Sequence, residues 1–168
     1  MSEIHIRPAR AEDVAAIHGI ITDAERWLSD RGMPMWLPEE LRVEPIRQHV
    51  GAGMYHVAEL DGEVVGTLRF QLEDAEYWPD LAPGDGAFVH RLAVRRDHAG
   101  RGVSTALLTW AVARAREVGR GHLRLDCDAH RPRLRDFYEG FGFRFHSYRQ
   151  VGPFYVARYE METGAPTG

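Results

Sequence analysis

Apolar residues recur along the chain with two periodicities, one typical of helices and one typical of strands. From about Ala11 to Arg31 they stand three or four positions apart, which predicts an amphipathic helix. A second, shorter helix is expected from Pro45 to Gly51. A third runs from Gly102 to Val118, and a fourth begins at Pro132 and continues through Tyr138.

Alternating apolar and polar residues predict the strands between these helices. Two of them are joined by Asp61-Gly62, a dipeptide that strongly favours a β-hairpin turn. The predicted strands are Ile4–Ile6, Tyr55–Leu60, Glu63–Gln71, Ala87–Val94, His122–Cys127, Phe143–Gln150 and Phe154–Glu162. The resulting order, β-α-α-β-β-β-α-β-α-β-β, predicts a mixed α/β fold with antiparallel hairpins and a parallel β-α-β crossover at 87–127.

The length of 168 residues fits one domain, predicted at 1–163, with a disordered tail at 164–168. There are 25 acidic and 21 basic residues, and every basic one is an arginine. A net charge of −4 gives no reason to expect a partner such as nucleic acid or an anionic membrane. The sequence shows neither a membrane-spanning apolar run nor a signal peptide, so a cytoplasmic protein is expected.

Cys127 is the single cysteine, which excludes an internal disulfide and a cysteine-based zinc site. It alternates with Leu123 and Leu125, so we expect a core residue rather than a nucleophile. The nine histidines form no metal-binding motif such as H-E-x-x-H, and no metal is predicted.

The segment from Val89 to Ala111 combines a strand, a glycine-containing basic turn and a helix. Unpaired amides at a helix N-terminus attract phosphate groups, and Gly100 and Gly102 would allow close approach. Neither dinucleotide-binding nor P-loop glycine spacing is present. The alternative is a turn whose glycines serve only the chain reversal. Positive charge is added by Arg95, Arg96 and Arg101.

Two blocks in this part of the chain resemble the GNAT N-acetyltransferase family. The first contains Leu92-Ala93-Val94, Gly100-Arg101-Gly102-Val103 and Leu107-Leu108. The second runs from Leu125-Asp126-Cys127-Asp128-Ala129 through Pro132, Leu134 and Phe137-Tyr138 to Gly142-Phe143. The resemblance is sharp over 87–143 and looser over nearly the whole chain. It implies the GNAT fold, a mixed, mostly antiparallel twisted sheet of about six to seven strands flanked by about four helices.

The same resemblance implies an acetyl-CoA-dependent acyltransferase. It assigns binding of the acyl carbonyl and pantetheine to backbone groups of Leu92 and Val94. The implied cofactor-binding residues are Leu92, Ala93, Val94, Ala99, Gly100, Arg101, Gly102, Val103, Ser104, Arg131 and Tyr138.

Three of these positions depart from the family pattern. Ala99 replaces the usual Arg or Gln, Ser104 replaces Gly or Ala, and Arg131 replaces Asn. The departures put individual cofactor contacts in doubt. They leave open a catalytically weak CoA-binding sensor of the same fold.

The family reaction, direct attack of an amine on the thioester, requires an acid and a base. Tyr138 matches the family tyrosine that protonates the departing thiolate. For the base, His90 stands two residues before Leu92, so regular alternation would place both on one face. Glu73, just beyond a predicted strand, is a comparable candidate, and Asp85 is a weaker one.

Trp36 and Trp78 lie in separate predicted loops and are candidates for walls of an acceptor pocket with Glu73 and His90. The alternative is that they pin their loops to the protein. The expected substrate is a primary amine of a small molecule, with a peptide or protein N-terminus as an alternative. A phosphate-binding module of another class also stays open, as does the choice between monomer and homodimer.

Overall fold

The computed structural model describes residues 3–166, which contain seven strands and four α-helices. The last two residues of the predicted tail, 167 and 168, lie outside the described residues. The elements in chain order are β1 His5–Pro8, α1 Val14–Ser29, α2 Val43–Gly51, β2 Tyr55–Leu60, β3 Glu63–Gln71, β4 Gly86–Val94, α3 Val103–Glu117, β5 His122–Asp128, α4 Pro132–Phe141, β6 Arg144–Val151 and β7 Phe154–Glu162. This order confirms the predicted succession of helices and strands.

The strand order is β1-β2-β3-β4-β5-β7-β6. The pairs β1–β2, β2–β3, β5–β7 and β6–β7 are antiparallel, whereas β4 and β5 are parallel. A mixed, mostly antiparallel sheet with one parallel pair linked through α3 is therefore confirmed.

The predicted first helix is shorter than its apolar pattern suggested. Ala11–Asp13 forms a 3₁₀ turn, and the α-helix runs only from Val14 to Ser29. The carboxylate of Asp13 accepts hydrogen bonds from the Arg7 guanidinium and the Arg10 amide, both at 2.7 Å. These contacts hold the chain in a tighter turn before the regular helix begins.

The hairpin between β2 and β3 has the conformation expected of its sequence. Asp61 has φ 53° and Gly62 has φ 80°, so both turn residues adopt the left-handed backbone that a tight hairpin requires. Both strands have the predicted bounds.

The contacts of the chain divide it into two units. The N-terminal unit extends to Phe70 and includes Arg91–Trp110, and the C-terminal unit comprises Gln71–His90 and the chain from Ala111 onward. Strand β4 passes from one unit into the other between His90 and Arg91. The single domain expected over 1–163 stays a prediction.

Each unit buries its own apolar side chains. In the N-terminal unit, α1 and α2 pack against β2 through a cluster that includes Ile17, Ile21, Ile46 and Val57. In the C-terminal unit, the buried side chains of β5 include Leu123, Leu125 and Cys127. Burial raises the pKa of the Cys127 thiol to about 12, so it is protonated at neutral pH, as expected of a core residue.

Among the described residues, no helix combines the length and apolar character that crossing a membrane requires.

Candidate active site

The turn between β4 and α3 presents backbone amides at the start of a helix. The first helical hydrogen bond runs from the Ala106 amide to the Gly102 carbonyl, at 3.0 Å. The amides of Val103, Ser104 and Thr105 precede it, so the helix itself offers them no carbonyl partner. This arrangement suits a phosphate group, because these amides stand at the positive end of the helix dipole.

Gly100 and Gly102 are needed in this turn for their conformation. Their φ angles are 76° and 82°, in the left-handed region that residues with a Cβ avoid. Apart from the adjoining residues of the chain, a Cβ at either position would meet no atom of residues 3–166 within 4 Å. The space beside both glycines is therefore open to a ligand.

The three arginines near the turn have different partners. Arg95 forms ion pairs with Asp97 at 2.6 Å and with Glu63 at 3.2 Å. The Arg96 guanidinium lies 3.9 Å from the centre of the Trp27 ring. Arg101 is exposed and has no ion pair within residues 3–166. Of the three, Arg101 is best suited to bind a phosphate.

Strand β4 is irregular between the two blocks of predicted site residues. Its parallel pairing with β5 runs from Gly86 opposite His122 to Phe88 opposite Arg124, which covers only the beginning of the strand. Further along, Arg91 has φ 57°, a left-handed backbone within a strand. The placement of His90 on the same face as Leu92 assumed regular alternation, so it stays a prediction.

His90, in the C-terminal unit, lies between two aspartates that are far apart in sequence. Its Nε2 is 2.6 Å from Oδ2 of Asp74, and its Nδ1 is 3.8 Å from Oδ2 of Asp126. The side chains are 12% exposed for His90, 3% for Asp74 and 11% for Asp126. Three titratable groups thus meet in a site largely shielded from water.

The two aspartates have opposite electrostatic environments. Burial would raise the pKa of Asp74, but the hydrogen bond and charge of His90 lower it below its ordinary value. Burial raises the pKa of Asp126 to about 6, and Oδ2 of Asp126 is buried without a hydrogen-bond partner among the described residues 3–166. Asp74 therefore stays ionised beside the imidazole, whereas Asp126 titrates close to neutral pH.

One atom from each of these three side chains lies within 4.8 Å of the others, a spacing that could also hold a metal ion. We interpret the group as a proton-transfer cluster. The 2.6 Å separation between His90 and Asp74 is a direct hydrogen bond, shorter than two ligands of one ion would usually approach each other.

The other carboxylates predicted as bases have different surroundings. Glu73 is exposed, and its backbone carbonyl accepts a hydrogen bond from the Gln71 side chain at 2.7 Å. Asp85 contacts His122 at 2.7 Å and Arg124 at 3.1 Å. Asp85 is thus engaged in an ion-pair network, and the role of Glu73 stays a prediction.

Tyr138, on α4, is buried in an aromatic cluster. Its ring packs edge-on against Phe143, with centroids 5.9 Å apart, and lies 6.4 Å from that of Tyr159. Burial, together with the negative charges of nearby groups, raises the pKa of its hydroxyl. The phenol is therefore protonated at neutral pH, as a general acid must be. Arg131 lies just before α4, as the N-cap residue.

Trp78 is held by cationic and aromatic groups of the C-terminal unit. The Arg158 guanidinium lies 4.6 Å from its ring centre, and the His146 ring packs edge-on at 5.2 Å. Arg158 also binds Asp80 with two hydrogen bonds, of 2.7 and 3.0 Å. These contacts fit the interpretation that Trp78 pins its loop.

Trp36 lies in the N-terminal unit, in the loop between α1 and α2. The Glu25 carboxylate accepts hydrogen bonds from the amides of Met35, at 2.9 Å, and Trp36, at 3.1 Å. The Trp36 ring lies beneath the Arg91 guanidinium at 5.1 Å and is only partly exposed. The loop is thereby fixed against α1.

The sequence profile of the Acetyltransferase (GNAT) family matches residues 21–143, well over half of the chain. The chain belongs to the GNAT family. The match confirms the resemblance seen in the two sequence blocks, and it makes the protein an acyltransferase. It also favours this class over a nucleotide-binding module of another fold.

Individual GNAT relatives agree with this assignment. YesJ of Bacillus subtilis (strain 168), an uncharacterized N-acetyltransferase, is 30% identical in an alignment of length 144 that covers 82% of this chain and 80% of YesJ. A GNAT acetyltransferase structure from Listeria monocytogenes 4b F2365 has a TM-score of 0.78 at 23% identity and covers 95% of this chain and 94% of its own. The GNAT fold is thereby confirmed.

A third GNAT protein was solved with a ligand. YncA of Salmonella typhimurium, a putative acetyltransferase in complex with its cofactor acetyl-CoA, has a TM-score of 0.75 at 17% identity. The alignment covers 98% of this chain and 96% of YncA.

Sequence reasoning missed two members of the His90 cluster. Asp126 carried a detectable signal, because an acidic residue alternates there with buried Leu125 and Cys127 and must point to the other face of β5. Asp74 carried none, since it lies in a loop with several other acidic residues. Only the folded backbone of that loop brings its carboxylate to His90.

Proposed function

We propose that this GNAT protein transfers the acetyl group of acetyl-CoA to a primary amine of a small molecule. The observation that carries the proposal is the buried hydrogen bond of His90 with Asp74, in a chain whose family consists of acetyltransferases. The amine attacks the thioester carbonyl carbon directly, the carbon–sulfur bond breaks, and the products are an N-acetylated amine and CoA.

Acetyl-CoA is the co-substrate, and the turn before α3 has the features needed to bind its pyrophosphate. The amides of Val103 and Ser104 lie at the helix N-terminus, and Arg101 adds an exposed positive charge. We assign the acyl and pantetheine contacts to the backbone of Leu92 and Val94, as the family resemblance implies. The substitutions at Ala99 and Arg131 remove two family side chains, so backbone amides take a larger share of the binding.

The acceptor amine must lose a proton, and we assign its removal to His90. Because Nε2 donates to the ionised Asp74 carboxylate, Nδ1 of the neutral ring carries the free lone pair. The proton therefore arrives at Nδ1, directly or through one water molecule. Asp126, 3.8 Å from Nδ1, then stabilises the resulting imidazolium.

The departing thiolate must gain a proton, and we assign its delivery to Tyr138. The raised pKa of this phenol keeps it protonated until the carbon–sulfur bond breaks. Thiolates are moderately good leaving groups, so this step needs less assistance than removal of the amine proton.

The proposal is tested by measuring free-thiol release from acetyl-CoA across a panel of small primary amines, short peptides and amine-free controls. We expect amine-dependent release, and we expect Tyr138→Phe to lower turnover without weakening acetyl-CoA binding. A preference for peptide N-termini would contradict a small-molecule substrate and favour a peptide or protein as the acceptor. Tight CoA binding without turnover on any amine would refute the enzyme and favour a CoA-binding sensor.

A further inference from the structure

Arg158, on β7 in the C-terminal unit, is a buried cation bound on several sides. Its side chain is 4% exposed. Nη1 and Nη2 donate to the Asp80 carboxylate at 2.7 and 3.0 Å, and Nε donates to the Ser147 hydroxyl at 2.9 Å. Nη1 also donates to the Tyr77 carbonyl at 3.1 Å. These four hydrogen bonds tie β7 to β6 and to the loop between β3 and β4, and they fix the planar guanidinium in one orientation.

The backbone of Tyr77 connects Arg158 to the His90 cluster. While the Tyr77 carbonyl accepts from Arg158, the Tyr77 amide donates to Oδ1 of Asp74 at 2.9 Å. The other oxygen of that carboxylate, Oδ2, is 2.6 Å from Nε2 of His90. Three hydrogen bonds thus lead from the guanidinium to the imidazole. A displacement of Tyr77 would therefore move the carboxylate that orients His90.

Arg158 also lies beside the second aspartate of the cluster. It is directly opposite Asp126 in the antiparallel pair of β5 and β7, where paired side chains lie on the same face. Burial raises the pKa of Asp126, and the charge of His90 lowers it. The negative charges of Asp74 and Glu76 add to the rise, whereas the positive charge of Arg158 opposes it. Arg158 thus acts on one aspartate through the loop backbone and on the other through its charge.

We infer that Arg158 is a positioning residue for proton transfer, because it holds the loop that brings Asp74 to His90. The inference rests on the proposed function, in which His90 takes the proton of the amine. Asp74 keeps the neutral imidazole in the form that carries its proton on Nε2, so that the lone pair of Nδ1 is available. The role needs the forked donors of arginine as well as its charge, since one guanidinium binds three groups from two parts of the chain.

Arg124 provides a matched comparison, because it is a second buried arginine of the same unit. Its side chain is 7% exposed, and it binds Glu160 at 3.0 Å and Asp85 at 3.1 Å. Both arginines lie against the Trp78 ring, Arg124 at 5.6 Å and Arg158 at 4.6 Å. The two hydrogen bonds of Arg124 go to carboxylates, whereas Arg158 also binds the backbone carbonyl that leads to the cluster. Removal of either arginine should cost similar stability, because each leaves its partners unpaired.

The first experiment observes His90 directly and needs neither acceptor nor acetyl-CoA. Nitrogen NMR of ¹⁵N-histidine-labelled protein at about pH 8 distinguishes the two neutral tautomers, and the spectrum of His90→Gln identifies the resonances. Wild-type protein and Arg124→Met should show His90 with its proton on Nε2. In Arg158→Met we expect a mixture of both tautomers. A single Nε2–H tautomer in Arg158→Met overturns the inference.

The second experiment measures turnover and its pH dependence by thiol release. Arg158→Met should lower kcat/KM about 10-fold, with the acetyl-CoA dissociation constant little changed. Loss of the positive charge raises the pKa of Asp126 further, and the protonated carboxyl no longer stabilises the imidazolium. The acid limb of kcat/KM should therefore move to higher pH by about 0.5 to 1 unit. Arg124→Met should keep turnover near wild type. Equal losses in the two variants would attribute the effect to stability and overturn the inference.

Arg158→Lys separates the charge from the forked donors, and it carries the test if Arg158→Met does not fold. The ammonium restores a positive charge opposite Asp126, so the acid limb should return to its wild-type position. Turnover should stay reduced and the mixture of His90 tautomers should persist, because one ammonium cannot replace all the hydrogen bonds of the guanidinium. Wild-type turnover together with a single tautomer in Arg158→Lys contradicts the inference.

The two experiments distinguish this inference from the proposed function. If wild-type protein acetylates amines while the Arg158 variants keep both turnover and the Nε2–H tautomer, the inference fails and the acetyltransferase stands. If wild-type protein acetylates no amine, the proposed function fails, and the role of Arg158 in proton transfer fails with it. The NMR spectra then still report whether Arg158 orients the imidazole, so the two failures are measured separately.

Discussion

The turn before α3 and the cluster around His90 are built in opposite ways. The turn uses consecutive residues, glycine conformations and backbone amides, and its glycines adjoin open space. The cluster uses three side chains from positions 74, 90 and 126, and it is largely buried. A phosphate needs several donors at once, which a helix N-terminus supplies, whereas proton transfer needs a few titratable groups with controlled surroundings.

This contrast implies a division of tasks that mutations can test. Changes in the cluster should alter turnover and pH dependence, and changes in the turn should alter affinity for acetyl-CoA. A variant that changes turnover and acetyl-CoA affinity equally would contradict this division of tasks.

The largest effect is expected from His90→Gln. The amide of Gln preserves a hydrogen bond to Asp74 but cannot accept the amine proton at neutral pH. We expect kcat/KM to fall by about 100-fold or more, with the acetyl-CoA dissociation constant little changed. Steady-state kinetics and calorimetric titration measure the two quantities. His5→Gln, on an exposed position of β1, is the control. Near-normal turnover in His90→Gln would remove this residue as the base and return Glu73 to consideration.

The second effect concerns stability: burying the ionised Asp126 carboxylate lowers the free energy of unfolding. The pKa of Asp126 is about 6 in the folded protein, against about 4 for an ordinary aspartate. Above pH 6 the carboxyl is ionised in the folded and unfolded states, and the folded state carries the cost of the buried charge. Below about pH 4 it is protonated in both states, and the cost vanishes. The free energy of unfolding therefore decreases as the pH rises from about 4 to 6, because Asp126 becomes ionised in the folded protein only at the higher pH.

Asp126→Asn should remove that pH dependence. We expect the variant to be more stable than wild type by about 2 kcal/mol at pH 7 and nearly equal to it at pH 4. Urea unfolding at both pH values measures the difference, with the exposed Asp136→Asn as control. A stability difference that is the same at both pH values would contradict the assigned cause.

The smallest effect is expected in the turn. Gly102→Ala places a Cβ on a left-handed residue at a cost of about 1 kcal/mol. The free turn can relieve this strain by leaving the conformation that binds the pyrophosphate, so binding restores the strain and should weaken about fivefold. Gly119, at the other end of α3, has φ 79° and equally open surroundings. Gly119→Ala therefore carries the same strain away from the turn and should lower stability without changing the dissociation constant. Equal dissociation constants for the two variants would argue against the turn as the pyrophosphate site.

Local patterns predicted the elements of the fold well. The bounds of β2 and β3 follow from the Asp61-Gly62 turn between two segments rich in strand-forming residues, and the conformation of that turn depends on those two residues alone. The start of α1 was placed too early, because Arg7 and Arg10 bind Asp13 and tighten the chain there. That shift depends on a contact six residues away, which helical periodicity does not register.

The sequence by itself determined the order of elements, the family and the turn before α3, because each depends on neighbouring residues and their backbone preferences. Tertiary structure alone decided which acidic groups meet His90. Asp74, His90 and Asp126 are separated by 16 and 36 positions, and only the loop after β3 and the strands β4 and β5 bring them together.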